Sequence, residues 1–294
     1  MDANPQQVVD RRIGVVGCGQ MGAGIAEMCA RAGLDVVVVE SDADGARRGR
    51  TRIEASLARA VRSGRLDEDG AQAVFGRLAL TAALDALADR TLVIEAVAER
   101  EDVKTGVMAA LDRIVTDPDA VLATNTSSIP IMRLATATSR PSQVIGLHFF
   151  NPVPVLRLVE IVPSLLTSQA TRVRATAFVT ETLGKHAVPA PDRAGFVVNT
   201  LLIPYLLSAV RMAESGFAPP EDIDAGMVLG CAHPMGPLRL ADLIGLDTVQ
   251  AAAEAMYAEY RDLHFAPPAL LLRMVEGGRL GRKTGRGFYE YTAA

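Results

Sequence analysis

The segment RIGVVGCGQMGAGIA, residues 12 to 26, constrains the fold more than any other feature of the chain. An apolar run suited to a buried strand leads directly into Gly17, Gly19 and Gly22 in a G-x-G-x-x-G pattern, and these glycines open a helical stretch. Without a side chain at Gly17 the turn can be tight. At Gly19 the backbone can approach a pyrophosphate, and at Gly22 the helix can pack on the strand. The helix N-terminus then offers unpaired N–H groups and partial positive charge to phosphates. By itself such a motif also serves as a plain strand-to-helix turn. Its context is more specific: a second β-rich run, DVVVVES, ends in Glu40, eighteen residues after Gly22, where a dinucleotide fold needs a carboxylate for ribose hydroxyls.

The loop from Gly17 through Cys18, Gly19, Gln20 and Met21 to Gly22, with Glu40, is therefore the expected nicotinamide cofactor site. A 2'-phosphate within about 4 Å of Glu40 would be repelled by a few kcal/mol at an effective dielectric near 20, so NAD is expected over NADP. Arg47 and Arg48, early in the following helix, could offset part of this, or simply form a solvated face.

Beyond the turn, the first half alternates β-rich runs with amphipathic helical stretches, the signature of βαβ units and a mainly parallel sheet. Strands are expected at Arg12 to Gly17, Asp35 to Glu40, Thr91 to Ala96, Val121 to Asn125, Val144 to Phe149 and Leu156 to Pro163, with helices at Gln20 to Ala32, Asp44 to Ser63 and Glu99 to Val115. The proline-rich KHAVPAPDRAGF reads as a domain junction, and from Gly195 onward the spacing is helical. The expected architecture is α/β: a Rossmann-type domain over residues 1–191, then a smaller all-α domain over 192–294.

Composition excludes several classes. The 294 residues are 49% hydrophobic and 22% charged with a formal net charge of only −4, which suits neither nucleic acid nor an anionic membrane. Three cysteines, Cys18, Cys29 and Cys231, form no CxxC pair; they argue against a disulfide framework and a zinc site, and for a reducing, cytoplasmic setting. The opening MDANPQQVVDRR has no apolar core and reads as a short leader, not a signal peptide. The apolar run from Phe196 to Val210 is short for a membrane span and is broken by Asn199, Pro204 and Ser208, as in a buried helix.

The candidate chemical centre lies in HFFNPVPVLRLVE, residues 148 to 160. Glu160 sits in a run too apolar to be a solvated surface, so its carboxylate needs a partner. If residues 146–149 and 157–162 form neighbouring strands, Glu160 reaches His148; the dyad fixes the ring tautomer and lets the other ring nitrogen take a proton near neutral pH. His186, His233 and His264 lack a nearby acid suited to orient them. At the end of the preceding strand stands NTSS, in which Ser128 is expected to cap the helix beginning near Pro130 while Ser127 faces the site. Asn199, an amide among hydrophobic residues, is either a structural hydrogen-bonding group or a substrate contact.

At these residues the chain resembles the L-3-hydroxyacyl-CoA dehydrogenases, and within them the single-function bacterial 3-hydroxybutyryl-CoA type. The resemblance runs from Arg12 to Tyr291 through VVGCGQMGAGIA, VIEAVAE, ATNTSS, GLHFFNPVPVLRLVEIV, AGFVVN, HPMGPLRLADLIGLDT and GRKTGRGFYEY. It implies NAD-dependent oxidation of the 3-hydroxyl of an acyl-CoA thioester, or the reverse. It further implies His148 as general base, Glu160 as its orienting acid, and Ser127 and Asn199 as the substrate-positioning pair. Glu99, Lys104, Ser127 and Asn151 would join the glycine loop and Glu40 at the cofactor, and a homodimer would form through the helical domain. Two departures stand out: Ala194 replaces the family's usual proline, and Ser63 stands where some members present a lysine to coenzyme A. Ser56 still matches, and with Ser127 and Arg62 it makes the expected CoA contacts on a basic helix suited to a 3'-phosphate. Related dehydrogenases of free hydroxy acids such as L-gulonate, or of carnitine, share the scaffold; HFFNPVP resembles the acyl-CoA branch. A non-catalytic NAD-binding protein would be expected to lack the dyad.

Overall fold

The structure is a computed structural model that describes residues 11–291; the leader expected before the first strand lies almost wholly outside these residues. Eight strands form a single sheet: β1 (Arg12–Val16), β2 (Asp35–Val39), β3 (Leu78–Thr81), β4 (Leu92–Glu95), β5 (Val121–Thr124), β6 (Val144–Phe149), β7 (Leu158–Pro163) and β8 (His186–Pro189). Their order is β3-β2-β1-β4-β5-β6-β7-β8. All pairings are parallel except β6 with β7. This is a doubly wound α/β sheet with its switch point between β1 and β4, where such folds bind ligands at the carboxyl ends of the strands.

The helices of this unit are α1 (Gln20–Arg31), α2 (Ala43–Arg62), α3 (Glu68–Phe75), α4 (Glu101–Ile114), α5 (Ile131–Ala135) and α6 (Gln169–Ala177). The central strands β4, β5 and β6 are buried along their whole length, which is why they read as unbroken apolar runs. Two strands escape such a reading. β3 is four residues long and only half-buried at the edge, and β8 forms the opposite edge inside the segment expected to be a junction. Four of the twelve residues of KHAVPAPDRAGF are thus strand. Pro189, its last residue, is tolerated because an edge strand has one unpaired side.

The chain divides into two compact units, the first ending at Asp192 and the second beginning at Arg193. The second unit is helical: α7 (Val198–Glu214), α8 (Pro220–Cys231), α9 (Pro237–Ile244), α10 (Leu246–Tyr260) and α11 (Ala269–Glu276). Its core gathers Leu206, Leu207, Val210, Leu238, Leu246, Val249, Met256 and Leu271. Two buried aspartates organise it. Asp224 accepts from the backbone N–H groups of Leu238 and Arg239 at the start of α9, and Asp242 accepts from those of Phe288 and Tyr289. A Cβ at Gly287 would collide with the Asp242 carboxylate, so the glycine of GRGFYEY is a packing requirement. No helix among the described residues is long and apolar enough to cross a membrane.

Candidate active site

Antiparallel pairing of β6 and β7 puts His148 directly opposite Glu160. The His148 Nδ1 lies 2.6 Å from Glu160 Oε2, and Glu160 is fully buried. A carboxylate only accepts, so the ring carries its hydrogen on Nδ1, and Nε2 is the basic nitrogen. The Phe150 ring packs 4.5 Å from the imidazole, and the backbone N–H of Phe149 donates to Asn125 Oδ1 at the end of β5, 2.8 Å away. The carboxylate inside an apolar strand is explained by its partner.

Beside this lies a second polar cluster, centred on Glu99. Its Oε1 accepts from Thr126 Oγ1 at 2.6 Å, from the Ser127 and Ser128 backbone N–H groups at 2.8 and 3.1 Å, and from the Ser127 and Ser128 hydroxyls at 3.3 and 3.1 Å. Desolvation opposes its ionisation, but Lys104 and these donors outweigh it and hold the carboxyl below the ordinary carboxylate value. Ser128 therefore does not cap α5. The two N–H groups at the start of that helix, of Ile131 and Met132, donate instead to the carboxylate of Asp192 at 2.7 and 2.9 Å, because the NTSS turn is already wrapped around Glu99.

Lys104 is only 1% exposed, and its ammonium donates to both oxygens of Glu95 at 2.8 and 3.1 Å while standing 3.3 Å from Glu99. Glu95, fully buried at the end of β4, also accepts from Thr124 Oγ1 and the Val97 backbone N–H, both at 2.7 Å. Sequence reasoning passed over Glu95, although a lone carboxylate in the apolar run LVIEAV is the same signal that singled out Glu160. The buried Glu95–Lys104 pair is the foundation on which Glu99 and the NTSS turn rest.

The glycine turn fits a dinucleotide. Gly17 has φ +88°, and a Cβ at Gly22 would run into the Gly17 carbonyl oxygen, whereas a Cβ at Gly19 would meet nothing within 4 Å. The turn thus has no room for side chains where α1 meets β1, and open space where a pyrophosphate would lie. No side chain caps α1, so its first N–H groups remain available to phosphate oxygens. Glu40, just after β2, accepts from Cys18 N–H at 2.5 Å, and Arg52 of α2 donates to the Cys18 carbonyl at 2.6 Å. Burial and then Glu40 push the Cys18 thiol up to about 11, which keeps it a neutral wall of the loop. Arg47 pairs with Asp44 on the exposed face of α2. Gln20 is exposed and Met21 half-buried at the mouth of the turn.

Asn151 is exposed beyond Phe150, and its peptide bond to Pro152 is cis. Ser56 is half-buried midway along α2, and Arg62 is exposed in its last turn. Asn199 stands in the first turn of α7, in the second unit. No hydrogen bond among the described residues ties Ser56 or Arg62 to the cluster around Glu99. No group of His, Cys, Asp or Glu among the described residues has the makings of a metal site.

A glycine turn shaped for a dinucleotide and a histidine–carboxylate pair across two neighbouring strands of the same, mainly parallel sheet define a nicotinamide-dependent oxidoreductase. The NAD binding domain model of 3-hydroxyacyl-CoA dehydrogenase matches residues 12–193, and its C-terminal domain model matches residues 195–291. The chain belongs to the 3-hydroxyacyl-CoA dehydrogenase family. It is 57% identical over 281 residues to a 3-hydroxybutyryl-CoA dehydrogenase of Mycobacterium tuberculosis, covering 96% of this chain and 98% of that one. It is 38% identical over 296 residues to the mitochondrial hydroxyacyl-coenzyme A dehydrogenase of Sus scrofa, covering 98% and 94%. Among solved structures, M. tuberculosis FadB2 matches with a TM-score of 0.96 at 57% identity, over 97% of this chain and 100% of that one. The (S)-3-hydroxybutyryl-CoA dehydrogenase PaaH1 of Ralstonia eutropha matches with a TM-score of 0.90 at 43% identity, over 96% and 99%.

Proposed function

We propose that the protein interconverts short-chain L-3-hydroxyacyl-CoA, 3-hydroxybutyryl-CoA foremost, and the corresponding 3-ketoacyl-CoA, with His148 as the catalytic base. The observation that carries this reading is the 2.6 Å contact between His148 and the buried Glu160, on the same sheet as the glycine turn. In the oxidation direction, His148 Nε2 takes the proton of the 3-hydroxyl as C3 gives up its hydride and the C–O bond becomes a carbonyl. NAD, when bound, supplies the hydride acceptor. Glu160 stabilises the imidazolium that results and holds the ring in one tautomer. In reduction, the imidazolium returns its proton to the oxygen.

The Ser127 hydroxyl donates to Glu99 at the long distance of 3.3 Å and keeps oxygen lone pairs with which to accept a substrate hydroxyl. Ser127 is assigned to substrate positioning on this ground and by family resemblance, and Asn199 by family resemblance alone. Glu40, Glu99, Lys104 and Asn151 are assigned to the cofactor side, Lys104 acting through Glu99 because its own ammonium is taken up by Glu95. Ser56, Ser127 and Arg62 are assigned to coenzyme A.

A spectrophotometric NADH assay with acetoacetyl-CoA and longer 3-ketoacyl-CoAs, repeated with NADPH and with L-gulonate, tests this function. NADH is expected to give much the higher kcat/KM, with Glu40→Ala narrowing the gap, and only CoA thioesters are expected to turn over well. Equal kcat/KM for the two cofactors would remove Glu40 from its role. A higher kcat/KM for L-gulonate would move the chain to the free hydroxy-acid dehydrogenases.

The same reading extends to a cytoplasmic homodimer joined through the second unit. It is supported by the exposed apolar side chains Leu201, Phe217 and Leu229 on that unit, since such surface commonly marks an interface. Sedimentation equilibrium is expected to return twice the chain mass of 31.1 kDa, and a monomer at micromolar concentration would refute it.

A further inference from the structure

The segment from Phe150 to Arg157 joins the two strands of the dyad, and it is held by a lysine that the chemistry above does not use. Lys185, immediately before β8, is 8% exposed and carries its ammonium under this loop, donating to the carbonyls of Val153 at 2.7 Å and Leu156 at 2.6 Å. Among the described residues no carboxylate pairs with it. Burial pushes the ammonium down from its ordinary lysine value, against an opposite pull from Cys29 of α1. A charged group kept in such a place needs a reason stronger than packing, because a methionine would fill the volume without the desolvation cost. The backbone adds a third tie: His186 N–H donates to the Arg157 carbonyl at 2.7 Å.

From its other side the same loop is pressed onto the helix that follows the glycine turn. Val153 is 1% exposed, and a Cβ at Gly24 of α1 would lie 2.9 Å from the Val153 Cβ. Gly24 lies outside the G-x-G-x-x-G pattern, and its lack of a side chain is what allows this close approach. The loop therefore bridges two things that a hydride transfer has to hold in register, the dyad strands and the helix of the cofactor turn.

We propose that Lys185 is a positioning residue: its ammonium clamps the 150–157 loop against Gly24 of α1 and so sets where His148 and Asn151 stand relative to the cofactor. The proposal rests on the dyad reading given above. Loss of the clamp lets the loop shift by a fraction of an ångström to an ångström, and misplacement on that scale costs roughly ten- to a hundredfold in rate.

The test measures kcat for Lys185→Met, Lys185→Arg and Gly24→Ala with NADH and acetoacetyl-CoA, per site that binds NADH by fluorescence titration, with His148→Gln alongside. Lys185→Met and Gly24→Ala are expected to lower kcat per site by roughly ten- to a hundredfold and to displace the pH profile of kcat, with Lys185→Arg recovering part of the rate. Lys185→Met combined with Glu160→Gln is expected to lose less than the product of the single losses. Wild-type kcat per site with an unchanged pH profile in both Lys185→Met and Gly24→Ala would overturn the clamp and leave Lys185 a structural residue. If Lys185→Met does not fold, Gly24→Ala decides by the same two readouts. A His148→Gln enzyme at wild-type rate would take down the dyad reading and the clamp together. An inactive His148→Gln beside unaltered clamp variants would overturn the clamp alone.

Discussion

Replacing His148 by Gln is expected to lower turnover by roughly 10²–10⁴-fold while NADH still binds. The substitution removes the proposed proton acceptor and leaves the glycine turn and Glu40 untouched, so cofactor affinity and chemistry should separate. Glu160→Gln retains the shape of the side chain and part of its hydrogen bonding to Nδ1, but not the charge that stabilises the imidazolium. It should lower kcat as well. Because the two residues act as one unit joined at 2.6 Å, the double variant should be little worse than His148→Gln alone. Losses that multiply, or a Glu160→Gln protein that merely unfolds with normal kcat in its folded fraction, would make Glu160 a structural carboxylate.

Lys104→Met is expected to destabilise the first unit by about 3–5 kcal/mol, the cost of leaving one member of a buried ion pair without its partner. In a chain of this size that corresponds to a fall in melting temperature on the order of 10 °C. Glu95 would remain fully buried with Thr124 and the Val97 N–H as donors but with no counter-charge. Pairing the change with Glu95→Gln should recover much of the loss, since a neutral amide needs no cation. Thermal melting of the single and double variants checks this, and a cost below about 1 kcal/mol, typical of exposed pairs, would contradict the burial argument. Glu99 adds a pH dependence of known sign. Its folded value lies below the ordinary 4.5, so its stabilising contribution is complete above that value and is lost as pH falls through the folded one.

Much of this molecule was legible in its sequence because the signals are local. A glycine turn states its own geometry, as Gly17 and Gly22 show, and strands buried on both faces announce themselves as apolar runs. Glu160 was legible for the same reason: an ionised group in an apolar strand demands a partner, and the NPVP turn put His148 within reach. The edge strands β3 and β8 were not, because a short, half-exposed strand has no pattern until its neighbour pairs with it.

What the sequence determined alone was the chemistry available: a glycine turn shaped for phosphates, a carboxylate at the end of the second strand, a histidine with a carboxylate. What only the tertiary structure decided was who partners whom across long separations. It turned Ser128 away from the helix it was expected to cap and onto Glu99, and gave the capping to Asp192, some sixty residues along the chain from the N–H groups it accepts. It paired Lys104 with Glu95 and lodged Lys185 under the loop of the dyad. The physical reason is that a buried polar group must be satisfied by some partner, but which partner depends on the packing of strands and helices that local sequence does not encode.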